Sequence, residues 1–345
     1  MKTDIAHEYW YDLPEELIAQ EPANPRDSSR LLIYNTKTNE VIIDTFSHLV
    51  TYLPPSTALT LNDAKVIPAR VTLFKETGGK IVVLFLVNEW ITLSEGPIPC
   101  FLDRKGTVGD KLYFPDKTFV TIQKQEEGLF YVEWDGSADA LLHKLDLYGV
   151  MPVPPYIKNS PLSRDELLEK YQTVFAKKRG SSAAPTASLH FTPAVFDSLK
   201  KAGIKKQYIT LHVGLGTFAP LTEENLKTKT LHHEWYETPH TLKLDSDITA
   251  VGTTVARTLE SIGRYPKGDE RRLRGETDLF ILPPYEFKVV DHLITNFHLP
   301  SSSLMMLVDA FLEYKKAPKR ILELYEFAKK NKFRFYSFGD AMLIL

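Results

Sequence analysis

The chain has 345 residues, 43% hydrophobic and 25% charged, ordinary values for folded domains that exclude a disordered or fibrous protein. At roughly 100–200 residues per domain, this length predicts two domains or one large domain carrying an insertion. The formal net charge of −2 excludes the overall basic excess of a protein that coats nucleic acid unselectively, though not a local basic face.

The N-terminal segment has no cationic stretch followed by an apolar one, so no secretory signal is expected. Up to about Arg70 the pattern predicts strands over residues 31–35 and 58–63, the second preceded by Pro54-Pro55. From Val71 to about Gly149 it is β-rich. Residues 71–76 and 80–88 flank a Thr77-Gly78-Gly79 hairpin signal, and strands over 111–114, 118–123 and 129–134 follow, with turns at Pro115-Asp116 and Glu127-Gly128. Short strands at that spacing predict a small barrel or sandwich. The apolar run over 81–87 is far too short to cross a bilayer. Cys100, the single cysteine, reads as a buried, inert thiol; it excludes an internal disulfide and fits a reducing, cytoplasmic setting.

After Pro152 the period changes. Ser163 and Glu166 form a capping box, and Leu167, Tyr171, Val174 and Phe175 continue a helical stripe. Thr192-Pro193 opens a helix with Val195, Phe196 and Leu199 on its apolar face and Gly203 as its stop. A strand over 207–213 follows, then strand 249–252 with helix 255–262, strand 293–297 with helix 304–314, and a last helix over 321–330. Strands alternating with helices predict a mainly parallel sheet covered on both faces. The fold class is therefore α/β: a large mixed-sheet domain built from both chain ends (1–70 and 153–345), with a small antiparallel β-barrel inserted at 71–152.

Four strand ends carry dense polar groups: Asn62-Asp63, the run from Thr210 through His212, Gly214 and Gly216 to Thr217, Gly252-Thr253-Thr254, and Asn296-Phe297-His298. Open α/β sheets bind ligands beyond such carboxyl ends. The backbone N–H groups after Gly252 suit an anion or a polar ligand edge, and equally Thr253 or Thr254 can simply cap its helix. Ala183-Ala184-Pro185-Thr186 admits close approach of a ligand and leads to His190, an acid, base or donor near neutrality, or else a loop histidine bonded to backbone. Seven of the ten histidines lie between His190 and His298, but no usual metal-ligand spacing is present, and adjacent His232 and His233 on a strand diverge. No metal is expected. There is no G-x-S-x-G elbow, and Gly214-x-Gly216 lacks the third glycine of a dinucleotide fingerprint. Basic pairs such as Lys177-Lys178, Lys200-Lys201, Lys205-Lys206 and Lys329-Lys330 read as solvated faces, or together as one basic face in the C-terminal half.

Longer strings carry a resemblance. They include Tyr11-Asp12-Leu13-Pro14, Arg26-Asp27-Ser28-Ser29-Arg30, Val66-Ile67-Pro68-Ala69-Arg70, Leu189-His190-Phe191-Thr192, the run from Thr210 to Phe218, Glu234-Trp235-Tyr236-Glu237, and Ile294 to Pro300. Nearly end to end, the sequence resembles the S-adenosylmethionine:tRNA ribosyltransferase-isomerases of queuosine biosynthesis. The resemblance implies an α/β domain interrupted by a β-barrel. It implies transfer and isomerisation of the ribosyl part of S-adenosylmethionine, as co-substrate, onto 7-aminomethyl-7-deazaguanine at the tRNA wobble position. The products are epoxyqueuosine-tRNA, adenine and methionine. The resemblance further implies a cytoplasmic, monomeric transferase and isomerase with tRNA as partner and no membrane association.

In that chemistry the sulfonium acidifies the ribose 5′ carbon, a base removes its proton, and a neutral substrate amine attacks; pKa values tuned toward neutrality suit these roles. The resemblance makes His190, His298 and Asp63 the acid–base candidates and His212 the donor to departing adenine. Gly214, Gly216, Thr217, Gly252, Thr253 and Thr254 would line the nucleoside pocket through backbone groups, with Asn62, Thr186 and Asn296 as further substrate-binding candidates. Arg30 and Arg70 would hold tRNA phosphate or the methionine carboxylate. The chain departs from the family's usual pattern at Ala64-Lys65, at Ser188, at Pro284 and over residues 90–108. The alternative is thus a diverged paralogue that binds tRNA or another substrate without this turnover. An ordinary methyltransferase is disfavoured, since the first half has no strand-opened glycine motif.

Overall fold

The computed structural model describes residues 5–87, 96–126, 128–214 and 221–345. Period-two alternation decides the layering. In β1 (Arg30–Asn35), Leu32 and Tyr34 enter one core while Leu31 and Ile33 enter another, and all four are buried. A strand buried on both sides must be covered on both sides. On one face lie α6 (Thr253–Ile262), α7 (Ser303–Tyr314) and α8 (Ile321–Lys330). On the other, Val195 and Leu199 of α4 (Pro193–Lys201) pack with Phe46, Leu49 and Phe191. The earlier helices are α1 (Ile5–Glu8), α2 (Ala138–Tyr148) and α3 (Arg164–Lys170), and α5 is Glu223–Thr228.

The chain next forms β2 (Glu40–Thr45), β3 (Ala58–Asn62) and β4 (Ala64–Val66). It then builds a closed antiparallel barrel from β5 (Arg70–Lys75), β6 (Lys80–Phe85), β7 (Ile98–Leu102), β8 (Lys111–Tyr113), β9 (Phe119–Glu126) and β10 (Leu129–Glu133). Afterwards come β11 (Lys178–Ser181), β12 (Lys205–Leu211), β13 (Thr230–Glu237), β14 (Ile248–Val251), β15 (Arg274–Leu279), β16 (His292–Asn296) and β17 (Ala341–Ile344). The nine-stranded sheet has the order β15-β13-β12-β3-β14-β16-β17-β1-β2, and β11 pairs separately with β4.

The sheet is mixed, not mainly parallel. Its centre, β12-β3-β14-β16, is parallel; β13, β15 and β2 run antiparallel at the edges, and β17 is antiparallel to β16 but parallel to β1. This bears out the mixed-sheet fold class; strand–helix alternation alone overstates the parallel share because it leaves out β2, β13, β15 and β17. The stripe over Leu167, Tyr171, Val174 and Phe175 also overran. Helix α3 stops at Lys170, and Tyr171 turns into a buried cluster with Ala184, Leu189 and Phe338.

Capping behaved as the sequence implied: Ser163 and Glu166 form the reciprocal box, Thr192 accepts from Val195 N, and Gly203 takes φ +76° beyond α4. Helix α2 was unexpected in the β-rich stretch, although its Ser137 cap and the Leu141/Leu145 pair buried in the barrel core are readable signals. Cys100 is buried in that core, and burial pushes its thiol up to about 12. Paired backbone bonds between Arg70 and Val150 fasten the points where the chain enters and leaves the barrel region. Among the described residues no helix is long and apolar enough to cross a membrane.

Candidate active site

The parallel centre places its carboxyl ends along one rim. Register aligns Ile209 with Asn62, Thr60 with Ala250, Val251 with Ile294, Asn296 with Ala341, and Ala341 with Leu31. The rim therefore presents His212, Asp63, Gly252 and Asn296 in lateral order, ending at Arg30. Residues 181–190 run across it as a strap. Ser182 N donates to Val213 O at one side, and Ala187 passes close to Gly252 in the middle. At the far side Thr186 and His190 reach Asn296.

The Asn296 amide is oriented by its partners. Its Nδ2 faces the carbonyl of Asp340 at 3.5 Å, which only accepts, so Oδ1 receives the Thr186 hydroxyl at 2.9 Å. The same Nδ2 faces His190 Nε2 at 3.4 Å, leaving His190 Nδ1 as the nitrogen that donates to Ser29 Oγ at 2.8 Å. His190 is buried, and burial, reinforced by the Arg334 and Arg26 charges, lowers its pKa to about 3. It is a neutral, fully engaged imidazole. Asp340, buried beside it, accepts from the backbone of Arg30 and Arg334 and from the Arg334 guanidinium.

His298 lies behind the rim. Tyr11 donates to its carbonyl, its backbone N–H donates to Tyr325 Oη at 2.8 Å, and its Nε2 meets Thr295 Oγ1 at 2.8 Å. Burial lowers its pKa to about 3.

Asp63 and His212 form a second group. Asp63 Oδ1 accepts from Thr210 Oγ1 at 2.6 Å, and burial raises its carboxyl while that hydrogen bond, Lys178 and Lys177 oppose the rise. His212 packs so closely on Gly180 that a Cβ there would approach its ring at 3.1 Å. Its Nδ1 is buried without a partner among the described residues. Burial lowers its pKa to about 4, with Glu237 opposing and Lys178 adding to the effect. Lys178 and Glu237 pair at 3.2 Å beside them. Tuning toward neutrality was the expectation for acid–base candidates. The environment moves Asp63 that way and the three histidines away from it.

Helix α6 begins at Gly252 with φ +96°, and no side chain caps it. Neither Thr253 nor Thr254 fills the capping role, so among the described residues no side chain caps the first-turn N–H groups, the arrangement that suits an anion or polar ligand edge. Gly214 N donates to Glu234 Oε1 at 3.3 Å, and Glu234 is ion-paired with Arg257, one helical turn beyond Thr253 on α6. Gly216 and Thr217 lie outside the described residues, as do residues 90–95 of the divergent barrel stretch and Glu127 of the predicted turn.

Three candidates are engaged elsewhere. The Asn62 amide bridges β3 to β12 by donating to Leu211 O and accepting from Leu211 N and Ala64 N. The Arg30 guanidinium lies over Phe333 and donates to Asn331 O. Arg70 sits at the barrel junction, donating to Val153 O at 3.2 Å, and burial lowers its pKa. Sequence reasoning assigned no role to Ser29, Asp340, Glu234 or Arg257. Ser29 and Glu234 lie in the quoted strings and Asp340 in a further one, Phe338-Gly339-Asp340-Ala341-Met342, but only tertiary pairing reveals what they touch. Among the described residues no group of three or more His, Cys, Asp and Glu side chains is placed to hold a metal.

A cavity of about 920 Å³ opens beside Asp63, Thr210, Lys178 and Glu237 and runs along β12 toward Lys205. The cavity flanks β12 from the carboxyl to the amino ends of β3 and β12, and of the rim residues only Asp63 lines it, not His190, His212, Gly252, Asn296 or His298; a cleft this size with a carboxylate of raised pKa at its edge is the pattern of a ligand site.

Residues 6–344 match the family model described as "Queuosine biosynthesis protein". The chain is 43% identical over 351 residues to the S-adenosylmethionine:tRNA ribosyltransferase-isomerase of Thermotoga maritima, covering 98% of this chain and 99% of that protein. It is 43% identical over 353 residues to the protein of the same name from Halothermothrix orenii, with the same coverage. A crystal structure of the S-adenosylmethionine tRNA ribosyltransferase from Thermotoga maritima aligns with a TM-score of 0.52 and 34% identity, covering 98% of this chain and 100% of that one.

Proposed function

Because the chain belongs to the queuosine biosynthesis protein family, we propose that it is an S-adenosylmethionine-dependent tRNA ribosyltransferase-isomerase. It moves and rearranges the ribosyl moiety of S-adenosylmethionine onto 7-aminomethyl-7-deazaguanine at the tRNA wobble position, releasing adenine and methionine. The observation that carries this reading is 43% identity across 98% of the chain to a relative of that name. No observation favours the diverged paralogue. Ala64 is buried in β4, where its N–H holds the Asn62 amide, and Lys65 is exposed, so these departures leave the rim intact.

In this reading the protein works as a cytoplasmic monomer, with residues 71–152 an inserted β-barrel domain. Asp63 takes the proton from the 5′ carbon, since it alone among the acid–base candidates is shifted toward neutrality. His212, with Nδ1 unpartnered among the described residues, meets the departing adenine. His190 and Asn296 are a rigid, uncharged wall that orients the ribose with Thr186. The N–H groups after Gly252 and the backbone at Gly214 receive polar edges of the nucleoside.

The test is incubation with S-adenosylmethionine and tRNA bearing the aminomethyl-deazaguanine, followed by chromatography for adenine. RNA-dependent adenine release is expected. Its absence, or equal release with unmodified tRNA, overturns the reading.

A further inference from the structure

The 920 Å³ cavity is too long for the rim chemistry alone. One end holds Asp63 and Thr210, at the carboxyl ends of β3 and β12. The other reaches Pro55, Ala58 and Lys205, at their amino ends. From Lys205 to Thr210 the strand advances about 17 Å at ~3.3 Å per residue. That matches roughly five stacked nucleotides at ~3.4 Å each.

The groove exists because β12 is only partly covered. Residues 205–209 pair with β3, whereas β13 pairs only with Thr210 and Leu211. Beyond that point the chain leaves β13 through Thr238 and Pro239 and returns as the opposite wall, tied back where Gln207 exchanges two hydrogen bonds with the backbone of Lys243.

Charge is distributed unequally along it. At the Asp63 end, Lys178 is matched by Glu237 at 3.2 Å. At the far end Lys205, Lys206 and Lys243 are exposed, and none has an ion-pair partner among the described residues; Lys206 only rests over the Phe196 ring at 4.5 Å. Asp245 is the carboxylate facing them in the lining. Lys200 and Lys201 close α4 just before Gly203, which lines the same groove. Unmatched ammonium groups spaced along a channel that ends at a carboxylate suit a polyanion whose neutral part must reach that carboxylate.

We propose that this groove is the path of the RNA strand carrying the target nucleotide, with backbone phosphates on Lys205, Lys206 and Lys243 and the modified base delivered to the Asp63 end. The inference rests on the proposed activity for its choice of RNA, and it assigns the binding surface that the activity leaves open.

The experiment measures binding of labelled, unmodified tRNA to the full chain by fluorescence anisotropy over a range of KCl concentrations. The K205E/K206E/K243E variant should bind at least tenfold more weakly, and the slope of log affinity against log salt should fall by about two, from ~0.7–0.9 per lost phosphate contact. Its affinity for S-adenosylmethionine by calorimetry should match the parent, and in turnover the KM for modified tRNA should rise while kcat at saturating RNA holds. The charge-matched K227E/K267E/K330E variant, altered at exposed sites away from the groove, should bind as the parent does. Unchanged affinity and slope in the groove variant, or an equal loss in the control, overturns the proposal. A parent protein that binds tRNA through these lysines yet releases no adenine would sink the activity and leave the groove standing.

Discussion

The hydroxyl of Thr186 donates to Oδ1 of Asn296 across 2.9 Å, fastening the strap to the end of β16 over a separation of 110 residues. The other side of that amide faces His190. Asn296→Ala therefore leaves the buried His190 Nε2 and the half-buried Thr186 hydroxyl without this partner, at a cost of about 1–3 kcal/mol. Melting should drop by several degrees and kcat/KM should fall at least tenfold. Asn296→Asp should fail differently, because a carboxylate beside His190 draws its pKa upward and removes the donor to Nε2. Parent-like melting and turnover in Asn296→Ala would mean that the amide orients nothing.

Acid sensitivity follows from His190 and His298. Both are held near a pKa of about 3 in the folded chain, against an ordinary value near 6.5. Below about 6.5 the unfolded chain takes up these protons and the folded chain does not. Stability is thus fully present above 6.5 and is lost as pH falls toward 3. Between pH 6.5 and 5 each histidine should cost about 2 kcal/mol. Urea midpoints at pH 7 and pH 5 measure the loss, and His298→Gln should flatten the dependence. The same dependence in parent and variant would assign the acid loss to other groups.

Glu234 and Arg257 are a nearly buried ion pair joining the Gly214 backbone to α6. Removing one member strands the other, at about 3–5 kcal/mol. Arg257→Met should lower the melting temperature sharply and raise the KM for S-adenosylmethionine. Glu234→Gln keeps an oxygen for Gly214 N, so the double variant should recover much of the stability lost by Arg257→Met. A double variant whose losses simply add would show that the two residues are uncoupled.

What the sequence made legible follows from where its signals are local. Strands β3 and β16 are short, largely apolar runs closed by asparagine, and α4 carries Thr192, Pro193 and Gly203 at its ends. Each announces itself within a few residues. Strand β13 contains His232, His233 and Glu234 and is recognisable mainly by its partners, while β17 is four buried residues with no boundary signal. The rim was readable because asparagine, histidine, glycine and aspartate recur at the ends of apolar runs. Its hydrogen bonds were not. Asn62 looked like a ligand contact and is a bridge between strands, whereas Ser29 and Asp340 matter through neighbours far away in the chain.

Asp63 offers the sharpest test of chemistry against structure. Burial raises its carboxyl, and the Thr210 hydroxyl at 2.6 Å holds it partly down. Asp63→Asn keeps an oxygen for that hydroxyl but cannot take a proton. Turnover should fall by about 10²–10⁴-fold, the usual worth of a positioned base, while S-adenosylmethionine still binds. Thr210→Val removes the hydrogen bond that lowers the pKa. The Asp63 carboxyl should then titrate at higher pH, and the acid limb of kcat/KM against pH should move up with it. Loss of activity in Thr210→Val without movement of that limb would mean that the hydroxyl only supports the strand end, and that the proton leaves by another route.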